Sequence, residues 1–251
     1  LVSFNCSDQS EFRNINLRRA IAHCFNSQDV LEAAYNGDGS VSKAWAYPTM
    51  KDWQKEWDQQ EYFEYNEATA QSYLQAYYDE TGTTADDLKL TLLIYNKAAV
   101  LKMAETLQAY VAALVGNPNC VEIIQYDQNT YNQMCEDPTV FDMYICFAIN
   151  SRTYPADTWF EACTDVSTGT HNQFFVDDPK LEELVRAASD ERTHSDETVT
   201  AFQQYINDQC YIVGMVTGNV YVVTANWIKD CTIGQKNCVA LCGLEYDWDA
   251  K

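Results

Sequence analysis

Basic residues are scarce in this chain: 16 Lys and Arg stand against 37 Asp and Glu in 251 residues, a formal net charge of −21. A surface of that sign repels phosphate backbones and anionic lipid headgroups, which argues against nucleic acid as a partner. Histidine is scarcer still, with three residues. His23 falls inside a helical pattern, His171 and His194 fall in polar stretches, and none stands in a nucleophile or metal-ligand motif. Catalysis, a resident metal and a cofactor are therefore not expected. No continuous apolar run reaches the roughly 18 residues of a spanning helix, and Gly116, Gly214 and Gly218 interrupt the best candidates. No Pro- or Ser-rich linker divides the chain, so one main compact unit is expected, with 47% apolar residues to build its core.

Ten cysteines are present, too few for the density of a disulfide scaffold. Cys24 in a helix pattern and Cys146 in a strand pattern read as small buried thiols. Cys231, Cys238 and Cys242 cluster near the end, where a disulfide is open to them in an oxidising medium; for zinc they lack a close Cys-x-x-Cys pair and a nearby His. The acidic pairs Asp86-Asp87 and Asp177-Asp178 stand in helix-start contexts, where carboxylates serve as caps or dipole partners more often than as a general acid and base. Asn36 to Ser40, NGDGS, imitates half a calcium loop but fails at Val41 and Tyr47, where Gly and a bidentate Glu are required.

What the chain does have is a strand, helix, strand unit from Thr91 to Asp127. Leu88, Leu90, Leu92, Leu93 and Ile94 form an apolar run; Val100, Met103, Leu107, Tyr110 and Leu114 then recur at helical spacing; Val121, Ile123 and Ile124 open a second strand after the stop at Gly116. Two strands joined by a helical crossover lie parallel, which predicts an α/β fold. Around this unit the pattern predicts helices at Ile15–Phe25, Gln28–Tyr35, Glu67–Glu80 after an Asn66 cap, Gln128–Cys135, Asp157–Cys163, one starting at Asp178-Pro179, and Asp196–Asp208. Strands are predicted at the N-terminus, at Phe141–Ile149 and within Tyr211–Thr224. Met50 to Tyr65, rich in aromatics and charge, supports no assignment.

Several stretches in order resemble the C-terminal lobe of the family 5 extracellular solute-binding proteins of ABC transporters, the oligopeptide- and dipeptide-binding group. Tyr95-Asn96 before the crossover helix, Phe141-Asp142-Met143, and an early helix resembling the family's valine-arginine-x-alanine-isoleucine pattern, read with Arg19, Ala20, Ile21 and the later Pro48 in matching positions, carry the likeness. The resemblance implies a type II periplasmic-binding-protein lobe with a central mixed sheet flanked by helices. It implies a ligand-binding lobe over residues 1–210 and, over 211–251, returning strands and a tail leading toward a partner lobe. Because members are about twice this length, an upstream export signal or lipid anchor and an N-terminal lobe are expected outside this stretch, with location on the extracellular face of the membrane or in the periplasm. The implied partners are a peptide or other small solute and ABC permease subunits. A surface binding or adhesive domain without transport, or a receptor for an oligosaccharide or metal chelate, is the alternative.

Open α/β sheets bind ligands beyond the carboxyl ends of their strands, which directs attention to Tyr95 and Asn96 and to the segment after Ile149. Asn96 has two readings, a ligand-facing group or a cap of its helix. In the peptide-binding relatives the second loop commonly reads Trp, two residues, Asp-Tyr-Pro-Asp-Pro, its first Asp pairing with the ligand's amino group. Here Tyr154 and Pro155 are kept, whereas the Trp becomes Asn150, the amine-binding Asp becomes Thr153, the second Asp becomes Ala156 and the last Pro becomes Asp157. A buried ammonium needs a carboxylate, which Thr153 cannot supply. Either Asp157 takes over, or Arg152 receives an anionic group, or Arg152 is solvated and Asp157 is a cap. Trp159, Trp45 and Tyr47 are candidates for stacking or for the core.

Overall fold

The structure, a computed structural model, describes residues 1–42, 63–146, 174–219, 221, 223–233 and 239–246, with residues 229–246 described as backbone. In chain order the elements are β1 (Val2–Phe4), a 3-10 turn (Glu11–Arg13), α1 (Ile15–Cys24), α2 (Ser27–Tyr35), β2 (Gly39–Val41), α3 (Glu67–Thr81), β3 (Leu90–Tyr95), α4 (Ala98–Val115), β4 (Val121–Tyr126), α5 (Gln128–Met134), β5 (Met143–Ile145), α6 (Pro179–Ser189), α7 (Asp196–Gln209), β6 (Ile212–Val213), β7 (Val216–Gly218), β8 (Ile228–Ile233) and β9 (Val239–Tyr246). The expected helices are present where the structure describes them. The predicted helix at 157–163 and the strand end at 147–149 lie outside the described residues, as do Pro48, Trp45 and Tyr47.

The main sheet has the order β4-β3-β5-β1-β6. β3 runs parallel to β4 and β5, whereas β1 runs antiparallel to both β5 and β6. The sheet is mixed because the crossover helix α4 enforces parallel pairing on one side while β1 enters from the opposite direction. β6 and β7 both follow Tyr211: β6 completes the main sheet beside β1, and β7 pairs with β2. Gly39 permits that second pairing, since a Cβ there would lie 2.4 Å from the Thr217 carbonyl oxygen.

The apolar run of β3 is continuous because both faces of the sheet are covered. Leu92 and Ile94 pack into one core with Leu17 and Ile21 of α1, Leu74 of α3 and Met103 and Leu107 of α4. Leu93 points the other way, into a second core with Tyr131, Tyr144, Leu181, Val185 and Phe202. α4 has 18 residues and a mean hydropathy of 1.3, enough by length and composition to cross a membrane. Its seven buried residues lie on the packed face, and Lys102 and Glu105 pair on the exposed one, which makes it the core crossover helix. It ends at Gly116, whose φ of 75° closes the last turn on the Ala112 carbonyl.

Two sequence-based expectations are corrected here. Arginine, one residue, alanine, isoleucine puts the motif's arginine at Arg18, one before Arg19, and it is Arg18 that the fold buries. Arg19, half-buried over the Tyr73 ring, reaches the Asp208 carbonyl. The strand expected from Phe141 begins at Met143, because Asn5 binds the Phe141 and Asp142 carbonyls and Asp142 turns its carboxylate inward.

That carboxylate explains the Phe-Asp-Met motif structurally. Asp142 accepts from the Thr91 N–H (2.8 Å) and the Ser10 hydroxyl (2.9 Å), tying β3 and the first turn to the start of β5. Burial, reinforced by Glu11, raises its pKa above 3.8 despite those two donors. A raised acid pKa means the native state holds a proton that the unfolded chain has released, so this group's contribution falls as pH rises through the window above 3.8. Asp142→Asn should flatten that fall; chemical unfolding from pH 4 upward checks it, and an unchanged pH slope would refute the assignment.

Candidate ligand-binding edge

Because β3, β4, β5 and β6 all point one way, their carboxyl ends share one edge of the sheet. Tyr95 ends β3, Tyr126 ends β4, Cys146 follows β5 and Gly214 follows β6. The Cys146 N–H bonds the Leu1 carbonyl at 3.1 Å, so the start of the chain closes the same edge. Tyr95 is partly buried and meets the Tyr131 ring edge-on at a centroid distance of 5.4 Å. The Tyr131 hydroxyl in turn donates to the Ile145 carbonyl at 3.0 Å. Burial, with smaller contributions from Tyr35 and Cys146, pushes the Tyr95 pKa up to about 12, which keeps the phenol neutral at physiological pH.

Asn96 does not cap α4. Its N–H continues the β-ladder to the Tyr126 carbonyl (2.7 Å), which shifts the cap position to Lys97, where no side chain bonds the helix N-terminus. Its Oδ1 accepts from Gln125 Nε2 at 2.9 Å, holding an exposed amide at the edge. An amide and a neutral phenol can recognise a peptide group or a sugar hydroxyl without a charge. Tyr95 and Asn96 are thus brought together at the predicted location. Asn150, Arg152, Thr153, Tyr154, Asp157 and Trp159 lie outside the described residues.

Further along the edge lies a half-open pocket of about 140 Å³, between the α1–α2 junction, the end of β2, residues 63–65 and the Val213-Gly214 exit of β6. Sequence reading missed it, because its walls come from four separate parts of the chain. It also missed Tyr131 and Tyr35, whose helical spacing marks them as packing residues and says nothing of the edge they reach. Among the described residues no group of three or more His, Cys, Asp or Glu could hold a metal ion. The described cysteines are free thiols. Burial pushes Cys6 up to about 11 and Cys135 and Cys210 up to about 12, and raises Cys24 as well. Cys146 differs from its expected setting, standing half-buried just past β5 with Sγ 3.2 Å from Ser3 Oγ. The Cys238 position and the side chains of Cys231 and Cys242 are outside the described residues.

The fold, a mixed sheet flanked by helices, is shared with solved binding proteins. The dipeptide binding protein from Pseudoalteromonas sp. SM9913, in complex with Met-Leu, matches with a TM-score of 0.72 and 19% identity over 98% of this chain and 48% of its own. The Escherichia coli murein tripeptide binding protein MppA matches at 0.72 and 17% identity, over 94% of this chain and 45% of its own. The oligopeptide-binding protein AppA from Bacillus subtilis, in complex with a nonapeptide, matches at 0.68 and 16% identity, over 86% and 44%. These likenesses define the class: a lobe of the periplasmic-binding-protein fold. Residues 1–169 match the family described as bacterial extracellular solute-binding proteins, family 5, middle region, and the chain belongs to that family. No curated protein matches the chain. The chain spans less than half the length of each of these solved structures.

Proposed function

We propose that this chain is the C-terminal lobe of a two-lobed receptor that captures a peptide outside the cell membrane and delivers it to an ABC permease. The carrying observation is the membership of a solute-binding family together with a fold that, in relatives, is seen with a dipeptide or a nonapeptide bound. The binding edge is the one bearing Tyr95 and Asn96, extended by Asn150, Arg152, Thr153, Tyr154, Asp157 and Trp159. Residues 1–210 form the lobe proper, and those from 211 lead back toward an N-terminal lobe that supplies the other half of the contacts. Closure of the two lobes excludes water and orders polar loops around the solute; no bond is made or broken, and the role is not enzymatic. Lipid anchoring upstream would hold the receptor at the membrane surface.

A second reading, a ligand without a free amino terminus such as a blocked peptide, oligosaccharide or metal chelate, is favoured by one feature: Thr153 stands where peptide-binding relatives carry the amine-binding Asp. A thermal-shift screen of the complete two-lobed protein separates the two. A ligand at about 100 times its Kd stabilises by about 2.7 kcal/mol. Stabilisation by free peptides that acetylation abolishes supports the first reading, with another carboxylate in the role. Stabilisation confined to sugars, chelates or blocked peptides supports the second, and silence across the panel would overturn solute capture.

A further inference from the structure

The turn from Asn36 to Ser40 falls short of a calcium loop, and the fold uses its carboxylate differently. Asn36 ends α2 in the left-handed region, with φ 52°, and the chain passes at once into β2, which pairs with β7 from Gly39↔Gly218 to Val41↔Val216. Gly218 lets β7 lie against α2, since a Cβ there would stand 2.8 Å from the Tyr35 ring. Asp38, exposed in the turn, accepts at Oδ1 from Asn219 Nδ2 (2.8 Å) and from the Tyr221 hydroxyl (2.6 Å). These donors, Tyr221 before Asn219, hold the Asp38 carboxyl below its usual 3.8. The acceptor is therefore ionised at physiological pH, and both bonds are charge-assisted.

Asn219 and Tyr221 follow the last strand that pairs with an element from the first half of the chain. The next two strands, β8 and β9, pair with each other. Tyr221 is 70% exposed and Val223 95%, so packing does not hold these side chains; the hydroxyl bond to Asp38 is what fastens Tyr221. From Gly218 to Tyr221 an extended chain spans about 10 Å. Fastening at Tyr221 therefore stiffens the segment past the end of β7 by up to that length. We infer that Asp38 is a latch on the segment joining this lobe to its partner lobe, which keeps the pivot of lobe closure beyond Tyr221 instead of at Gly218. The inference rests on the two-lobed reading above and adds to it a residue that controls where the hinge begins.

The test uses the complete two-lobed protein without ligand, as wild type, Asp38→Ala, Asp38→Asn and Tyr221→Phe, studied by hydrogen exchange and small-angle X-ray scattering. Asp38→Ala should speed amide exchange in β7 and at Tyr221 by about tenfold and leave α4 unchanged, because two charge-assisted bonds are lost beside a two-stranded sheet. Its radius of gyration should rise above that of wild type, as the lobes sample wider separations from a pivot nearer Gly218. Tyr221→Phe removes one of the two bonds and should shift both readouts less, in the same direction. Asp38→Asn keeps an oxygen that accepts from both donors and should stay near wild type. Unchanged exchange in Asp38→Ala would overturn the latch. So would faster exchange with unchanged scattering, since the fastened segment would then not govern the lobes, and so would faster exchange shared equally by α4, which is general loss of stability. A wild type that scatters as one compact body without a second lobe sinks the two-lobed reading and the hinge with it, whatever the exchange shows at Tyr221.

Discussion

Arg18→Ala should destabilise the protein by about 3–5 kcal/mol, lowering Tm by about 10 °C. Arg18 is 4% exposed and has no carboxylate partner among its described bonds. Its Nε donates to the Gln209 carbonyl (3.0 Å), and NH1 donates to the carbonyls of Phe12 (2.6 Å) and Arg13 (3.0 Å). The guanidinium also lies over the Tyr211 ring, 5.3 Å from its centroid. These acceptors sit at the 3-10 turn and at the end of α7, so one side chain joins two segments nearly 200 residues apart in sequence. Alanine would leave three carbonyls without a donor, and hydrogen bonds to a charged group are the expensive ones to lose. Lysine keeps the charge but not the planar fork that serves Nε and NH1 together, so Arg18→Lys should recover less than half of the loss. Chemical unfolding of the purified variants checks this; a loss below about 1 kcal/mol for alanine would mean that water replaces the guanidinium at no cost.

Asp178→Ala should cost about 3–4 kcal/mol, for a different reason. The carboxylate caps α6 through Oδ1, which accepts from the N–H groups of Lys180 (3.0 Å) and Leu181 (3.2 Å). Oδ2 accepts from the hydroxyls of Tyr205 (2.8 Å) and Tyr211 (2.7 Å). One residue therefore binds α6, α7 and the entry to β6. The cap is worth about 1 kcal/mol and each charge-assisted hydroxyl bond about 1.5. Asparagine keeps the capping oxygen, and the two hydroxyls can turn to accept from its amide, so Asp178→Asn should cost about 1 kcal/mol. Burial and then the neighbouring carboxylate push Tyr205 up to about 12, so in Asp178→Asn its ionisation should move back toward 10 in a spectroscopic titration. An unmoved titration would show that burial alone sets it. Because Arg18 and Asp178 both engage Tyr211, the double variant should lose less than the sum of the two.

Neither residue announced itself in sequence as a joint. Asp178 was legible as a cap from the proline after it, because capping is decided within four residues; its two tyrosines arrive from 27 and 33 positions away. The sequence reading put Arg19 in the matching position, and nothing local distinguishes it from Arg18, since the carbonyls that choose between them belong to residues 12, 13 and 209. Asn96 was legible as an edge residue, but its sequence left the cap reading open, because whether β3 ends at Tyr95 depends on Tyr126 in the neighbouring strand.

The crossover unit from Leu90 to Tyr126, its parallel pairing and the acidic surface follow from the sequence alone, because periodicity, caps and charge are properties of short stretches and of their sum. The gathering of Tyr95, Tyr126, Cys146 and Gly214 at one edge, the burial of Arg18 in place of Arg19, and the pocket between Phe25, Val41, Phe63 and Val213 were decided only by tertiary structure. Each of these depends on which distant segments share a sheet or a core, and that choice minimises exposed apolar surface and unpaired polar groups over the whole chain at once.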